Sequence, residues 1–123
     1  MYIYRNVLIA GATNETLGNK VALSFLNRNE FKVFVLRTPS ANRDAKKQEA
    51  FQILEDNGAT IVEGDYNSIE SLEKAMKDID VVFAMIAGSV LVTGQLALLK
   101  AATNVGVKRF FTSDYGMDLS HVK

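Results

Sequence analysis

Apolar residues recur along this chain with two different spacings, and the two spacings alternate from one segment to the next. Short runs of consecutive apolar residues are typical of strands buried on both faces of a parallel sheet, and they alternate with segments in which apolar residues recur at helical spacing. The runs predict strands at 7–10, 32–36, 60–63, 80–86 and 108–112. The segments between them predict helices from 18 to 27–29, from 42 to 56, from 68 through 76 and from 90 to 104.

Five strands that alternate with helices imply a doubly wound α/β domain of the Rossmann type. Right-handed crossovers from a central first strand lead to a parallel sheet with the strand order 3-2-1-4-5. A length of 123 residues suits one such domain. Ligands of these sheets bind at the carboxyl ends of the strands where the order reverses, here between the first and fourth strands. The loops at 11–18 and 87–89 are therefore expected to face each other.

The first of these loops has the features of a phosphate-binding turn. An apolar strand is followed at once by Gly11, and a helical pattern begins at Gly18. Small residues in such a turn let backbone N–H groups face a phosphate, and the helix dipole favours its negative charge. A dinucleotide is the predicted ligand, and its candidate contacts are Gly11, Thr13, Asn14, Leu17 and Gly18, with Ala87 and Gly88 on the facing loop.

The spacing of the glycines leaves a second interpretation open. Asn14 and Leu17 stand where a dinucleotide-binding turn has glycines, and Gly18 comes one position late. Asn14 can still adopt the left-handed conformation that the turn needs. Glu15, however, places a carboxylate beside the pyrophosphate unless it points to solvent. The alternative is a turn that only connects a strand to a helix.

Composition narrows the classes of function. A hydrophobic fraction of 48% and a formal net charge of zero argue against a disordered chain and against nucleic acid as a partner. The lack of cysteine excludes disulfides and thiolate chemistry, and with a single histidine it argues against a metal site. The longest apolar tract, 81–99, is broken by glycine and polar residues, and no secretory signal is visible. We therefore expect a soluble, cytoplasmic protein without a membrane partner.

Several short motifs carry a family resemblance. They are Val-Leu-Ile-Ala-Gly-Ala-Thr at 7–13, Val-Leu-Arg-Thr-Pro-Ser at 35–40, Gly-Asp at 64–65, Asp-Val-Val-Phe at 80–83, Gln95, and Val-Lys-Arg-Phe-Phe-Thr-Ser-Asp-Tyr-Gly at 107–116. Together they resemble the isoflavone reductase-like and NmrA-like group, atypical relatives of the short-chain dehydrogenases/reductases that bind NADP. The similarity covers nearly the whole chain. Its last motif is the most specific, and the glycine loop departs from the family pattern.

The end of the second strand predicts which dinucleotide is bound. An NAD site usually has an acidic residue there for the ribose hydroxyls, whereas a 2′-phosphate needs cations, and this chain has Arg37. The resemblance implies that an arginine and one lysine of the next helix hold the 2′-phosphate, which matches Arg37 and most nearly Lys46. For the lysine, a solvated helix face is the alternative. We therefore expect NADP(H) as the cofactor in preference to NAD(H).

No catalytic residue is evident from the sequence. Typical short-chain dehydrogenases use a Tyr-x-x-x-Lys pair in which the lysine lowers the pKa of the tyrosine, but Tyr115 is followed four positions later by Leu119, and Tyr66 has no such lysine either. The resemblance implies a catalytic lysine on a later helix and a substrate-binding part beyond it. We therefore expect residues 1–123 to be the cofactor-binding domain of a truncated chain. Lys123 is kept as a candidate catalytic lysine, with a frayed chain end as the alternative.

Three hypotheses for the function follow. The first is the NADP(H)-binding domain of an isoflavone reductase-like oxidoreductase, which transfers a hydride to a small organic substrate. The second is an NmrA-like regulatory protein that senses the dinucleotide and acts through a protein partner without turnover. The third is a fragment without activity.

The chain by itself is expected to be inactive and to bind NADP(H) weakly. Phe110 and Phe111 point to opposite faces of the last predicted strand, so that at least one is expected to lie uncovered. An uncovered sheet edge with apolar neighbours is a template for pairing with another chain. We therefore also expect self-association through the C-terminal edge of the sheet.

Overall fold

A computed structural model describes residues 5–11, 18–28, 30–39, 45–85, 91–112 and 116–118. The elements, in chain order, are β1 (Asn6–Ala10), α1 (Gly18–Leu26), β2 (Lys32–Arg37), α2 (Ala45–Asp56), β3 (Thr60–Glu63), α3 (Ile69–Ala75), β4 (Val81–Ala84), α4 (Leu91–Val105), β5 (Arg109–Thr112) and β6 (Gly116–Asp118). Strands and helices alternate as far as β5, as the two apolar periods predict.

The strands form one sheet in the order β3-β2-β1-β4-β5-β6. The first five strands pair in parallel, so the predicted order 3-2-1-4-5 is confirmed. The sixth strand was not predicted. It pairs antiparallel with β5 over three residue pairs, Phe110 opposite Met117 among them. A strand of three residues has no apolar period of its own, and it is a strand only because β5 offers an edge to pair with.

Along the five parallel strands, successive apolar side chains point alternately into two apolar layers, one on each face of the sheet. In β1, Leu8 and Ala10 lie in the layer shared with α3 and α4, whereas Val7 and Ile9 lie in the layer shared with α1 and α2. All four side chains are buried. Because both faces of the central strand are covered by helices, its sequence is a continuous apolar run rather than an alternating one.

The ends of the helices follow local capping chemistry. Ser68 is the N-cap of α3, and its hydroxyl accepts a hydrogen bond from the Ser71 N–H. At the end of α2 the Ala59 N–H donates to the Leu54 carbonyl at 3.0 Å, which closes the helix at its predicted end, residue 56. These ends are encoded by residues close in sequence, and the structure confirms them.

Asp80 joins the amino ends of β1 and β4. Its Oδ2 accepts hydrogen bonds from the Arg5 N–H at 3.1 Å and the Asn6 N–H at 3.0 Å. The Asn6 side chain in turn donates to the Asp78 carbonyl at 2.7 Å. Asp80 is part of one of the motifs that carry the family resemblance, but it lies at the edge of the sheet opposite the expected site. Its hydrogen bonds stabilise the start of the two central strands.

The expectation of an uncovered last strand is wrong for β5. Phe110 is 1% exposed in the layer with α3 and α4. Phe111 is partly buried on the other face, where its ring stacks on Phe83 with centroids 4.9 Å apart. The edge of β5 is occupied by β6, so β6 forms the C-terminal edge of the sheet.

Candidate functional site

The carboxyl ends of the parallel strands lie at one edge of the sheet, where a ligand is expected. β1 and β4 are neighbours at the point where the strand order reverses. The Met85 N–H donates to the Ala10 carbonyl at 2.9 Å, so the two strands stay paired up to the loop that follows β4. The ends of β1 and β4 therefore lie side by side at the predicted switch point, and the loops at 12–17 and 86–90 that follow them lie outside the described residues.

Gly11 begins the turn after β1 with a φ of 81°. A residue with a Cβ loses free energy when it adopts this left-handed conformation, whereas glycine does not. Glycine is therefore favoured at this position. Gly18 is the first residue of α1, as predicted. Thr13, Asn14, Leu17, Ala87 and Gly88 lie outside the described residues, so their assignment to the cofactor stays a prediction.

Arg37 is the last residue of β2, and it is paired with an acid. It lies in register with Glu63, the last residue of the neighbouring strand β3. The Arg37 Nε donates to the Glu63 Oε1 at 2.7 Å, and Nη2 donates to the same oxygen. The side chains are 34% and 56% exposed, so the ion pair is accessible to solvent. Arg37 is thus a cation at the site edge, as predicted, with a carboxylate beside it.

The N-terminal turn of α2 adds the positive charges of two lysines to that of Arg37 at this edge. Lys46 and Lys47 are exposed and lie in the first turn, which contains no acidic residue. The first turn of a helix is the positive end of its dipole, where a bound anion is favoured and a lysine is not. Two lysines at this end therefore suit a site for an anionic group.

The loop after β3 is held rigidly by short-range contacts. Gly64 is buried, and a Cβ there would lie 2.6 Å from the Leu36 Cδ1 and 3.1 Å from the Leu72 Cδ2. The Asp65 N–H donates to the Ser71 Oγ at 2.9 Å, and the Asp65 carboxylate accepts from the Asn67 N–H at 2.9 Å. The Gly-Asp pair therefore has a structural reason at this position, and it fixes the end of β3 and with it Glu63.

Tyr66, the tyrosine among the described residues, does not have the properties of a catalytic tyrosine. Burial raises the pKa of Tyr66 to about 12, the opposite of what a catalytic tyrosine needs. Tyr115 and the candidate catalytic residue Lys123 lie outside the described residues, so Lys123 stays a prediction. The part of the chain that the structure describes holds no group of three or more His, Asp or Glu side chains that could bind a metal ion.

Among the described residues, no helix is both long enough and apolar enough to cross a membrane. This finding does not test the predicted cytoplasmic location, which stays a prediction.

Glu63 is the residue of this edge that sequence reasoning missed. In the sequence, Glu63 precedes Gly64 and Asp65, and no motif or spacing connects it to Arg37, which lies 26 residues earlier. The available signal was indirect: both Arg37 and Glu63 end predicted neighbouring strands of a parallel sheet. Strands that end together bring their last residues together, but the register that makes them partners is not readable from either strand alone.

Comparison with known proteins agrees with this architecture. The sequence model of the NmrA-like family matches residues 4–123. Phenylcoumaran benzylic ether reductase PT1 from Pinus taeda is 33% identical over 117 residues, which are 94% of this chain and 37% of that protein. Isoflavone reductase from Glycine max is 32% identical, and the match covers 92% of this chain and 38% of the relative.

A solved structure extends the similarity to three dimensions. The complex of leucoanthocyanidin reductase with NADPH from Vitis vinifera is 39% identical and superposes with a TM-score of 0.75 over 85% of this chain and 34% of that one. The chain thus spans little more than a third of the length of the proteins that it matches. Because the family match runs over nearly all of its residues, the chain belongs to the NmrA-like family.

Proposed function

We propose that this chain forms the NADP(H)-binding part of a reductase that acts on a small organic substrate. The observation that carries the proposal is Arg37 at the carboxyl end of β2. NAD sites place an acid at this position, whereas a planar guanidinium suits a 2′-phosphate. The leucoanthocyanidin reductase structure that resembles this chain contains NADPH, which favours the same cofactor here.

The described residues at this edge suit the cofactor through the positive charges of Arg37 and Lys46 and the left-handed conformation of Gly11. Arg37 and Lys46 would hold the 2′-phosphate, and the turn from Gly11 to Gly18 would hold the pyrophosphate through backbone N–H groups. NADPH supplies a hydride when it is bound. The role that we propose for Arg37 and Lys46 is therefore to bind and orient the cofactor. Burial raises the pKa of Tyr66, so this tyrosine is poorly suited to act as a base.

The relatives compared above are reductases by name, so the hypothesis of a regulatory protein draws no support from them. They are about two and a half times as long as this chain, since it spans 37% and 38% of two of them. We propose that the catalytic lysine and the substrate-binding part belong to the remainder of a longer protein.

Arg37→Ala tests the assignment of the cofactor. Loss of a hydrogen bond to a charged group costs about 1.5 to 3 kcal/mol, so we expect NADP(H) to bind about ten- to a hundredfold more weakly, while the affinity for NAD(H) barely changes. Titration calorimetry of the 123-residue chain with both cofactors measures this difference.

Arg28→Ala is the matched control for charge. Arg28 is exposed and lies between α1 and β2, at the opposite edge of the sheet. Its removal should leave both affinities unchanged. Equal losses of NADP(H) and NAD(H) in Arg37→Ala would show that Arg37 does not recognise the 2′-phosphate.

We also propose that the chain associates with itself through the C-terminal edge of the sheet. Among the described strands, β6 has a partner on one side only. Backbone groups on the other side of an edge strand are available for pairing with a further strand.

A further inference from the structure

The ion pair between Arg37 and Glu63 occupies one of the two edges through which a guanidinium can bind a phosphate with two N–H groups. An arginine binds a phosphate most tightly through two parallel N–H groups. In Arg37, both Nε and Nη2 donate to one carboxylate oxygen of Glu63. The edge of the guanidinium that carries Nε is therefore already engaged by an acid of this chain.

The position of Glu63 is fixed by the sheet and not only by the ion pair. Glu63 and Arg37 are register partners on adjacent parallel strands. The Gly64 N–H donates to the Arg37 carbonyl at 3.1 Å, which keeps the two strand ends together. If a phosphate displaces the carboxylate from Arg37, the charge of Glu63 therefore stays within a few ångströms of it.

The pair contributes little to the stability of the fold. Both side chains are substantially exposed, and exposed ion pairs are weak because water competes for both partners. A weak pair can be opened by a ligand that binds the same guanidinium more tightly. The Glu63 carboxylate can thus modulate the binding of a phosphate at Arg37 with little effect on the stability of the fold.

We propose that Glu63 competes with the 2′-phosphate of NADP(H) for Arg37 and so limits the preference of this chain for NADP(H) over NAD(H). The proposal rests on the proposed function, because it concerns the same phosphate. NAD(H) carries a hydroxyl in place of this phosphate, so the carboxylate can stay on Arg37 when NAD(H) binds. Glu63 therefore weakens the binding of NADP(H) and leaves that of NAD(H) nearly unchanged.

Glu63→Gln tests the competition, because glutamine keeps the length and the acceptor oxygen of the side chain and removes its charge. We expect NADP⁺ to bind about three- to tenfold more tightly at low ionic strength, from the strength of an exposed ion pair plus the repulsion that is removed, and NAD⁺ to change less than about twofold. Glu55→Gln removes the same charge from an exposed residue near the C-terminal end of α2, and it should leave both affinities unchanged.

Two further measurements show whether the effect acts through Arg37. In an Arg37→Ala background, Glu63→Gln should tighten NADP⁺ clearly less than in the unaltered chain, because only the repulsion between the carboxylate and the phosphate remains to be removed. Raising the salt concentration should reduce the gain in the single variant, since the interactions are screened at an exposed site. A gain of the same size without Arg37 would overturn the competition, and so would unchanged or weaker binding of NADP⁺ by Glu63→Gln.

The failure of this inference can be told apart from the failure of the proposed function. If the unaltered chain binds NADP⁺ no more tightly than NAD⁺ and Arg37→Ala changes neither, the assignment of the cofactor is wrong and the competition falls with it. If Arg37→Ala abolishes a preference for NADP⁺ that Glu63→Gln does not increase, only the competition is wrong.

Discussion

The side chain of Tyr66 has the properties of a packing residue. Tyr66 follows the Gly-Asp pair after β3 and packs against the apolar layer of α3 and α4. Desolvation by burial raises the pKa of its hydroxyl to about 12, so the tyrosine stays neutral at all physiological pH values. The surroundings of the Tyr66 hydroxyl thus argue against a role as a base, because they make it harder to ionise.

Tyr66→Phe is predicted to change the stability of the protein at alkaline pH. Tyrosine ionises near pH 10 in the unfolded chain and near 12 in the fold, so its contribution is fully present below pH 10 and is lost as the pH rises toward 12. Between about pH 9 and pH 11 the unaltered chain should lose about 1 kcal/mol more of its unfolding free energy than Tyr66→Phe does.

Urea denaturation at the two pH values measures the difference. The other tyrosines and the lysines are present in both proteins, so their titration cancels in the comparison. Parallel losses of stability in the two proteins would show that Tyr66 is not desolvated.

At the scale of one element, the C-terminus of α4 determines how the chain enters β5. Gly106 has a φ of 83°, and the Val107 N–H donates to the Ala102 carbonyl at 2.9 Å, the bond typical of a helix that ends at a left-handed glycine. This turn directs Val107, which is 2% exposed, into the core. The local conformation of one glycine thus connects the helix to the packing of the next strand.

Gly106→Ala is predicted to destabilise the fold by about 1 kcal/mol, the cost of a left-handed conformation for a residue with a Cβ. A Cβ at this position would meet no atom within 4 Å, so crowding does not contribute. Gly106→Asn should cost less than Gly106→Ala, because asparagine adopts this conformation more readily. Urea denaturation compares the three proteins, and equal costs for alanine and asparagine would rule out the backbone conformation as the cause.

On the scale of the whole molecule, one face of the sheet is covered less completely than the other. A row of partly buried aromatic rings crosses the face of α1 and α2: Phe31 packs on Phe25, Phe25 on Phe83, and Phe83 on Phe111, with centroid distances of 4.9, 5.2 and 4.9 Å. Phe83 and Phe111 belong to β4 and β5, next to the short edge strand β6. The C-terminal side of the sheet therefore combines an edge with apolar neighbours.

Self-association through this edge is predicted to increase between micromolar and millimolar concentrations, as measured by light scattering. Met117→Lys should reduce it, because a charge on an edge strand opposes pairing with another strand. Leu96→Lys adds the same charge at an apolar residue of α4 that is 62% exposed, and it should have no effect. A monomer at all concentrations, or equal effects of the two variants, would contradict association through the edge.

The alternation of apolar periods was sufficient to predict the five parallel strands, their order and the four helices. These features depend on residues close in sequence and on the general handedness of crossovers. The positions of Gly11, Gly18 and Arg37 at the ends of elements could be predicted for the same reason. A position at the end of a strand indicates the edge of the sheet, and in a parallel sheet the carboxyl edge is where a ligand is expected.

Only the tertiary structure decided which side chains meet. The pairing of Arg37 with Glu63 depends on the register between β2 and β3, and β6 exists because β5 leaves an edge to which three residues can pair. The burial of Phe110 depends in the same way on α3 and α4, whose apolar side chains share its layer. Each of these contacts joins segments that lie apart in the chain, and their free energy comes from packing and register that no local pattern of residues contains.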